Sequence, residues 1–107
     1  MISNIQVVQP VGVLDGTQVS QFRQQIDEAV KTGASTVLVD LEKVSFMDSS
    51  GLGAIVSAFK AMRSQGGSLC VCSLNEQIRI LFELTSMDRV LDIFSNRDEF
   101  EQARFSS

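Results

Sequence analysis

The densest group of chemically capable side chains in this sequence is Asp48-Ser-Ser-Gly-Leu-Gly53: a carboxylate, two adjacent hydroxyls and two glycines within one short segment. A serine hydroxyl can attack as a nucleophile or accept a phosphoryl group, and a neighbouring carboxylate can orient it or cap a helix. Asp48, Ser49 or Ser50 can accept hydrogen bonds from the free N–H groups of a first helical turn. Gly51 and Gly53 each cost a helix about 0.8–1 kcal/mol relative to alanine. Such a loss calls for compensation. Either the glycines pack tightly against a neighbouring strand, or they leave room for another molecule to approach the backbone. Physics alone leaves both open.

Several chemistries are excluded at once. The chain has no histidine, which removes Ser-His-Asp and Cys-His arrangements, His-rich zinc sites and the usual neutral-pH proton shuttle. It has no G-x-S-x-G elbow, so a serine hydrolase acting through Ser49 has neither its turn nor its base. The segment also lacks the phosphate-loop spacing G-x-x-x-x-G-K-[ST], with no lysine until Lys60, which argues against nucleotide binding. Cys70 and Cys72 lie two apart in a strand-like stretch and should share one face. Without a C-x-x-C spacing or further ligands they read as buried packing thiols. No cofactor and no metal site is expected.

The elements that must position the segment follow from composition and periodicity. At 107 residues, 44% hydrophobic and 21% charged, the chain suits one domain able to fold without a metal or disulfide. Thirteen acidic against nine basic residues give a net charge of −4, which speaks against a nucleic-acid surface or a polybasic membrane anchor. No apolar run approaches the roughly 20 residues of a membrane span, and Met1 to Gln9 lacks the features of a signal peptide. A cytoplasmic location is expected.

Ile5, Val7 and Val8, then Val11, Val13 and Leu14 beyond Pro10, predict two short strands or one interrupted strand near a sheet edge. Thr17 is placed to cap a helix to about Lys31, with Val19, Phe22, Ile26, Ala29 and Val30 at helical spacing and Gly33 as the stop. Thr36 to Leu41 reads as a central strand covered on both sides. Glu42 to Met47 reads as a connection into a second helix carrying Leu52, Ile55, Val56, Phe59 and Met62, ended by Gly66-Gly67. Leu69 to Cys72 is a further strand. Ser73 or Asn75 starts a third helix with Ile78, Leu81, Phe82 and Leu84, Val90 to Phe94 is the last strand, and Arg97 to Phe105 a short final helix. The order ββαβαβαβα predicts an α/β domain with a mixed, mostly parallel sheet of four to five strands and about four helices. The early strands are expected to be antiparallel at an edge. The connection after Leu41 lies beyond a strand's carboxyl end, where α/β folds gather their binding features.

Phe46-Met-Asp-Ser-Ser-Gly-Leu-Gly53 resembles the signature of bacterial anti-sigma-factor antagonists, the single-domain members of the STAS family. The likeness extends to Gly12-Val-Leu-Asp15, Val37 to Leu41, Gly66-Gly67 with Leu69 to Cys72, and Ile80-Leu-Phe82, while Asn96 to Ser107 matches nothing distinctive. The resemblance implies that Ser49, directly after the aspartate, is phosphorylated by a partner that is both serine protein kinase and anti-sigma factor. It implies that the unmodified protein binds this partner and frees a sigma factor, that phosphorylation ends binding, and that a metal-dependent PP2C-type serine phosphatase resets the switch. The chain is then a substrate and binder, not an enzyme. Asp15, Asp48, Ser49, Ser50, Gly51 and Gly53 are the implied partner-binding residues. The alternative is a STAS-type scaffold or ligand-binding module that is not regulated by phosphorylation. If the glycines serve kinase access, Gly51→Val should leave the fold largely intact while slowing phosphorylation and partner binding.

Overall fold

The computed structural model describes residues 4–105; the expectations for Met1 to Ser3, Ser106 and Ser107 lie outside them. The elements run β1 (Ile5–Val8), β2 (Gly12–Leu14), α1 (Val19–Lys31), β3 (Thr36–Asp40), β4 (Val44–Met47), α2 (Ser49–Ser64), β5 (Ser68–Cys72), α3 (Glu76–Leu84), a 3₁₀ turn (Met87–Arg89), β6 (Asp92–Phe94) and α4 (Arg97–Phe105). The main sheet has the order β1-β3-β5-β6 and every pair in it is parallel. The strands progress steadily across the sheet, and α1, α2 and α3 pack into one core on one face of it.

β3 is the central strand expected, buried at every position from Thr36 to Asp40. Its alternate residues feed two cores. Val37 and Val39, with Leu69 and Val71 of β5, pack among Phe22, Ile26, Ile55, Met62, Ile78 and Phe82 from α1, α2 and α3. Leu38, Cys70 and Cys72 turn the other way, against Phe100 of α4. Phe100 meets Phe94 edge to face at 5.4 Å, a favourable aromatic geometry. The two cysteines are free and share that face, and burial pushes both thiols up to about 11. They are neutral packing groups at physiological pH.

Asp40 is the buried acid of the central strand. Arg97 Nε donates to its Oδ2 at 2.8 Å, Gln9 Nε2 donates at 3.1 Å, and the Glu42 N–H donates to Oδ1 at 3.0 Å. This fastens the start of α4 to the carboxyl end of the sheet. No helix among the described residues is long and apolar enough to cross a membrane.

Three expectations need correction. Glu42 to Met47 is not wholly a connection, because Val44–Met47 forms β4, which pairs with β2 as a separate two-stranded sheet. Only Val44 and Met47 of this strand are buried, and Ser45 and Phe46 between them are exposed, so it has neither alternation nor a continuous apolar run to announce it. Second, the early strands are parallel to their partners: β1 is an edge of the main sheet beside β3, while β2 leaves that sheet for β4. Third, Thr17 does not cap α1. Gln18 holds the cap position without a side-chain bond, and Thr17 instead donates both its N–H and its hydroxyl to Asp15 Oδ1, at 2.9 and 2.6 Å. At the third helix, of the two caps expected Asn75 is the one used, accepting from the Ile78 N–H at 2.9 Å.

Candidate functional site

The small β2–β4 sheet exists at the place where chemistry was expected. Leu14 of β2 stands in register with Met47 of β4, so the Asp15 turn and the start of α2 leave the sheet side by side. The Asp48 N–H points at the Leu14 carbonyl oxygen across 3.4 Å. Asp48 remains extended and caps α2: its Oδ1 accepts from the Ser50 N–H at 2.9 Å and the Gly51 N–H at 3.2 Å. Ser49 is the first residue of the helix, and its side chain and that of Ser50 are exposed. A Cβ on Gly16 would lie 3.6 Å from Ser50 Oγ, which puts the Asp15-Gly16 turn against the serine pair. The Thr17 hydroxyl and N–H hold the Asp15 carboxyl below its ordinary value. Asp15, Asp48, Ser49 and Ser50 therefore occupy one surface.

The two glycines part company. Gly53 is exposed, with nothing within 4 Å of where its Cβ would be. Gly51 is buried, and a Cβ there would overlap the Leu14 carbonyl oxygen and crowd the Leu14 and Met47 Cγ atoms at 3.0 Å. The expectation that Gly51→Val leaves the fold largely intact is thus overturned, since the first carbon of any side chain already collides with main chain. Close packing accounts for Gly51. Open approach remains available at Gly53 alone.

Residues 1–100 match the STAS domain. The chain belongs to the STAS family. It is 31% identical over 91 residues to the anti-sigma F factor antagonist of Paenibacillus polymyxa, covering 84% of this chain and 78% of that protein. It is 35% identical over 82 residues to the anti-sigma-B factor antagonist of Bacillus subtilis, covering 77% and 74%. The same fold occurs in the unphosphorylated anti-sigma factor antagonist SpoIIAA (TM-score 0.72, 23% identity, 100% and 94% covered). It occurs also in the phosphorylated form of the Bacillus cell fate determinant SpoIIAA (0.71, 22%, 95% and 93%).

Two features of this STAS domain's site were not legible in its sequence. Val13 and Phe46, register partners on β2 and β4, are 41% and 46% exposed, and Val11 at the approach to β2 is 72% exposed. Partly exposed apolar side chains therefore lie along the two strands that lead to the serines. The second feature is a pair of amides at the start of α3. Asn75 Nδ2 reaches the Val44 and Ser45 carbonyls, and Gln77 pairs with the main chain of Met47. Phe46 stands in the four-residue strand Val44–Met47, whose pattern does not say which apolar side chain faces outward, and nothing in the spacing of Asn75 and Gln77 marks them as partners of a strand about 30 residues earlier.

Proposed function

We propose that this STAS domain is an anti-sigma factor antagonist whose partner binding is switched by phosphorylation of Ser49. The unmodified form binds a serine protein kinase that is also an anti-sigma factor, so a sigma factor is freed. A metal-dependent PP2C-type serine phosphatase removes the phosphate and restores binding. The chain acts in the cytoplasm as substrate and ligand, and the kinase supplies the catalysis. In the transfer, Ser49 Oγ bonds to the γ-phosphorus of ATP, the bond to the departing ADP breaks, and the hydroxyl proton goes to the kinase.

The observation that carries this reading is the exposed Ser49 hydroxyl at the first position of α2, beside the Asp48 cap, the Asp15 turn and the partly exposed Val13–Phe46 pair. A phosphate there adds about −1.5 to −2 charges. The helix start, with roughly half a positive charge, favours such an anion on the exposed Ser49 side chain even though Asp48 Oδ1 already takes the Ser50 and Gly51 N–H groups, so the fold is kept. An interface lying over the same atom does not: it would have to desolvate a dianion beside Asp15 and Asp48. A penalty of about 3–4 kcal/mol weakens binding several hundredfold. SpoIIAA, which shares the fold, exists in both phosphorylation states.

The test is mass spectrometry of the parent chain after incubation with source-cell extract and magnesium ATP, followed by retention assays with Ser49→Asp and Ser49→Ala. A gain of about 80 Da on Ser49 is expected. Ser49→Asp should keep the parent's circular dichroism and lose the partner, while Ser49→Ala should retain the partner and resist modification. Absence of the added mass, or undiminished partner retention by Ser49→Asp, overturns the switch and leaves an unregulated binding module.

A further inference from the structure

The strand that delivers Ser49 is held on both edges, and the second edge is not held by a strand. One edge of β4 pairs with β2. Along the other, the amide side chains of Asn75, the cap of α3, and of Gln77 in its first turn take its main-chain groups: Asn75 Nδ2 donates to the Val44 and Ser45 carbonyls, each at 3.2 Å. Gln77 Nε2 then donates to the Met47 carbonyl at 2.8 Å, and Gln77 Oε1 accepts from the Met47 N–H at 3.0 Å. Gln77 thus reproduces with one planar amide the two-bond pairing that a neighbouring strand would offer. A sheet of two short strands is marginal by itself, so these bonds hold β4 where it stands.

Met47 is the last residue of β4. Its side chain is fully buried, its main chain is locked by Gln77, and the next residue begins the departure into α2. Asp48 must be extended and correctly directed for Oδ1 to reach two helical N–H groups, and Ser49 follows at once. We propose that Gln77 is a positioning residue for Ser49 phosphorylation, fixing the Met47 peptide so that the Asp48 cap and the Ser49 hydroxyl are presented in one geometry. The proposal rests on Ser49 being the phosphoacceptor. Gln77 itself does not touch the transferred group. Its effect belongs to the alignment of Oγ with the incoming phosphorus, and a displacement of order 1 Å from attack geometry can cost about a hundredfold in rate.

The experiment compares parent, Gln77→Met and Asn75→Ser chains. Asn75→Ser keeps an N-cap for α3 while releasing the upstream carbonyls of β4, so it reports what general attachment of α3 is worth. With the serine kinase activity of source-cell extract and γ-labelled ATP, Gln77→Met should lower the maximal rate of Ser49 labelling by about tenfold or more, with the apparent KM for the chain within about twofold. In nitrogen-15 spectra the Ser50 and Gly51 amides of Gln77→Met should lose exchange protection. Asn75→Ser should leave the labelling rate and those amides close to the parent's. Parent-like labelling by folded Gln77→Met, or an equal drop in Asn75→Ser, overturns the proposal. If Gln77→Met does not unfold cooperatively, Gln77→Glu, which keeps an acceptor for the Met47 N–H, takes its place. If the parent itself is not labelled, the phosphoacceptor reading fails and the positioning role for phosphorylation falls with it, while lost protection of the Ser50 and Gly51 amides in Gln77→Met would still show that Gln77 fixes the Asp48 cap.

Discussion

Gly51 lies directly against the Leu14 carbonyl oxygen, so closely that a Cβ on the glycine would overlap it. This contact joins the two segments of the site, since Leu14 precedes the Asp15 turn and Gly51 is in the first turn of α2. It also gives two glycines of one motif opposite responses to alanine. Gly51→Ala gains helix propensity of about 1 kcal/mol but must push main chain apart, an overpacking cost of about 1–3 kcal/mol or more. A net loss is expected, read as a lower urea midpoint. Gly53→Ala meets open space and should raise the midpoint by up to about 1 kcal/mol of stability. A stabilised Gly51→Ala would show that Leu14 yields easily.

The Asp48 carboxylate has two separable properties, its acceptor oxygen and its charge. Oδ1 alone accepts both capping N–H groups, and an asparagine offers the same oxygen. Asp48→Asn should therefore unfold within a few tenths of a kcal/mol of the parent, whereas Asp48→Ala should lose about 1 kcal/mol. If Asp48→Asn falls as far as Asp48→Ala in thermal unfolding, the carboxylate's charge, not its geometry, carries the cap.

The main sheet and its helices were legible because their signals are strong and local. β3 carries the unbroken apolar run Val37–Val39, and α1 and α2 carry stripes at helical spacing that end in glycines. The Asp48 cap was legible for the same reason, as a short polar side chain before an apolar run. What escaped depends on partners far along the chain. β4 is a strand because β2 and the Asn75 and Gln77 amides complete it, and its four residues show no period of their own. The different fates of Gly51 and Gly53 depend on where Leu14 lies, which residue spacing does not contain. Thr17 is a typical capping residue by type, yet Asp15 claims both of its donors and the helix starts two residues later.

Asp40 and Arg97 give the fold a defined acid sensitivity. Burial alone would raise the Asp40 carboxyl, but the Glu42 N–H, the Arg97 guanidinium and the Gln9 amide outweigh it and hold the group below 3.8. A carboxyl depressed in the folded state contributes stability that is fully present above its unfolded value and is lost as pH falls through the folded value. The contribution should therefore persist at neutral pH and be lost only in acid, as the carboxyl takes up its proton below the ordinary carboxylate range. Arg97→Met removes the guanidinium. Because that group is about half exposed, the expected cost at pH 7 is about 1–2 kcal/mol, below that of a fully buried pair. Urea unfolding of parent and variant across pH 2–7 should show the difference shrink towards the acid end, and a constant difference would mean that Arg97 acts through packing alone.

Val13 and Phe46 distinguish a surface kept for a partner from one that serves the fold. They sit opposite each other on β2 and β4, a little under half exposed, each two residues before one of the carboxylates near Ser49. Side chains this exposed contribute less to folding than core residues, so Phe46→Ser or Val13→Ser should cost about 1 kcal/mol or less of unfolding stability. A partner that encloses the Ser49 hydroxyl would cover these side chains as well, and a large aromatic side chain buried near the middle of an interface costs about 2 kcal/mol or more when removed. Phe46→Ser should thus weaken retention of the partner by at least about thirtyfold, with Val13→Ser smaller because less area is lost. The control is Leu84→Ser at the carboxyl end of α3, where the parent side chain is 80% exposed; it should leave binding unchanged. Equal losses from Phe46→Ser and Leu84→Ser would point to general stickiness, while full binding by a folded Phe46→Ser protein would place the interface elsewhere on the domain.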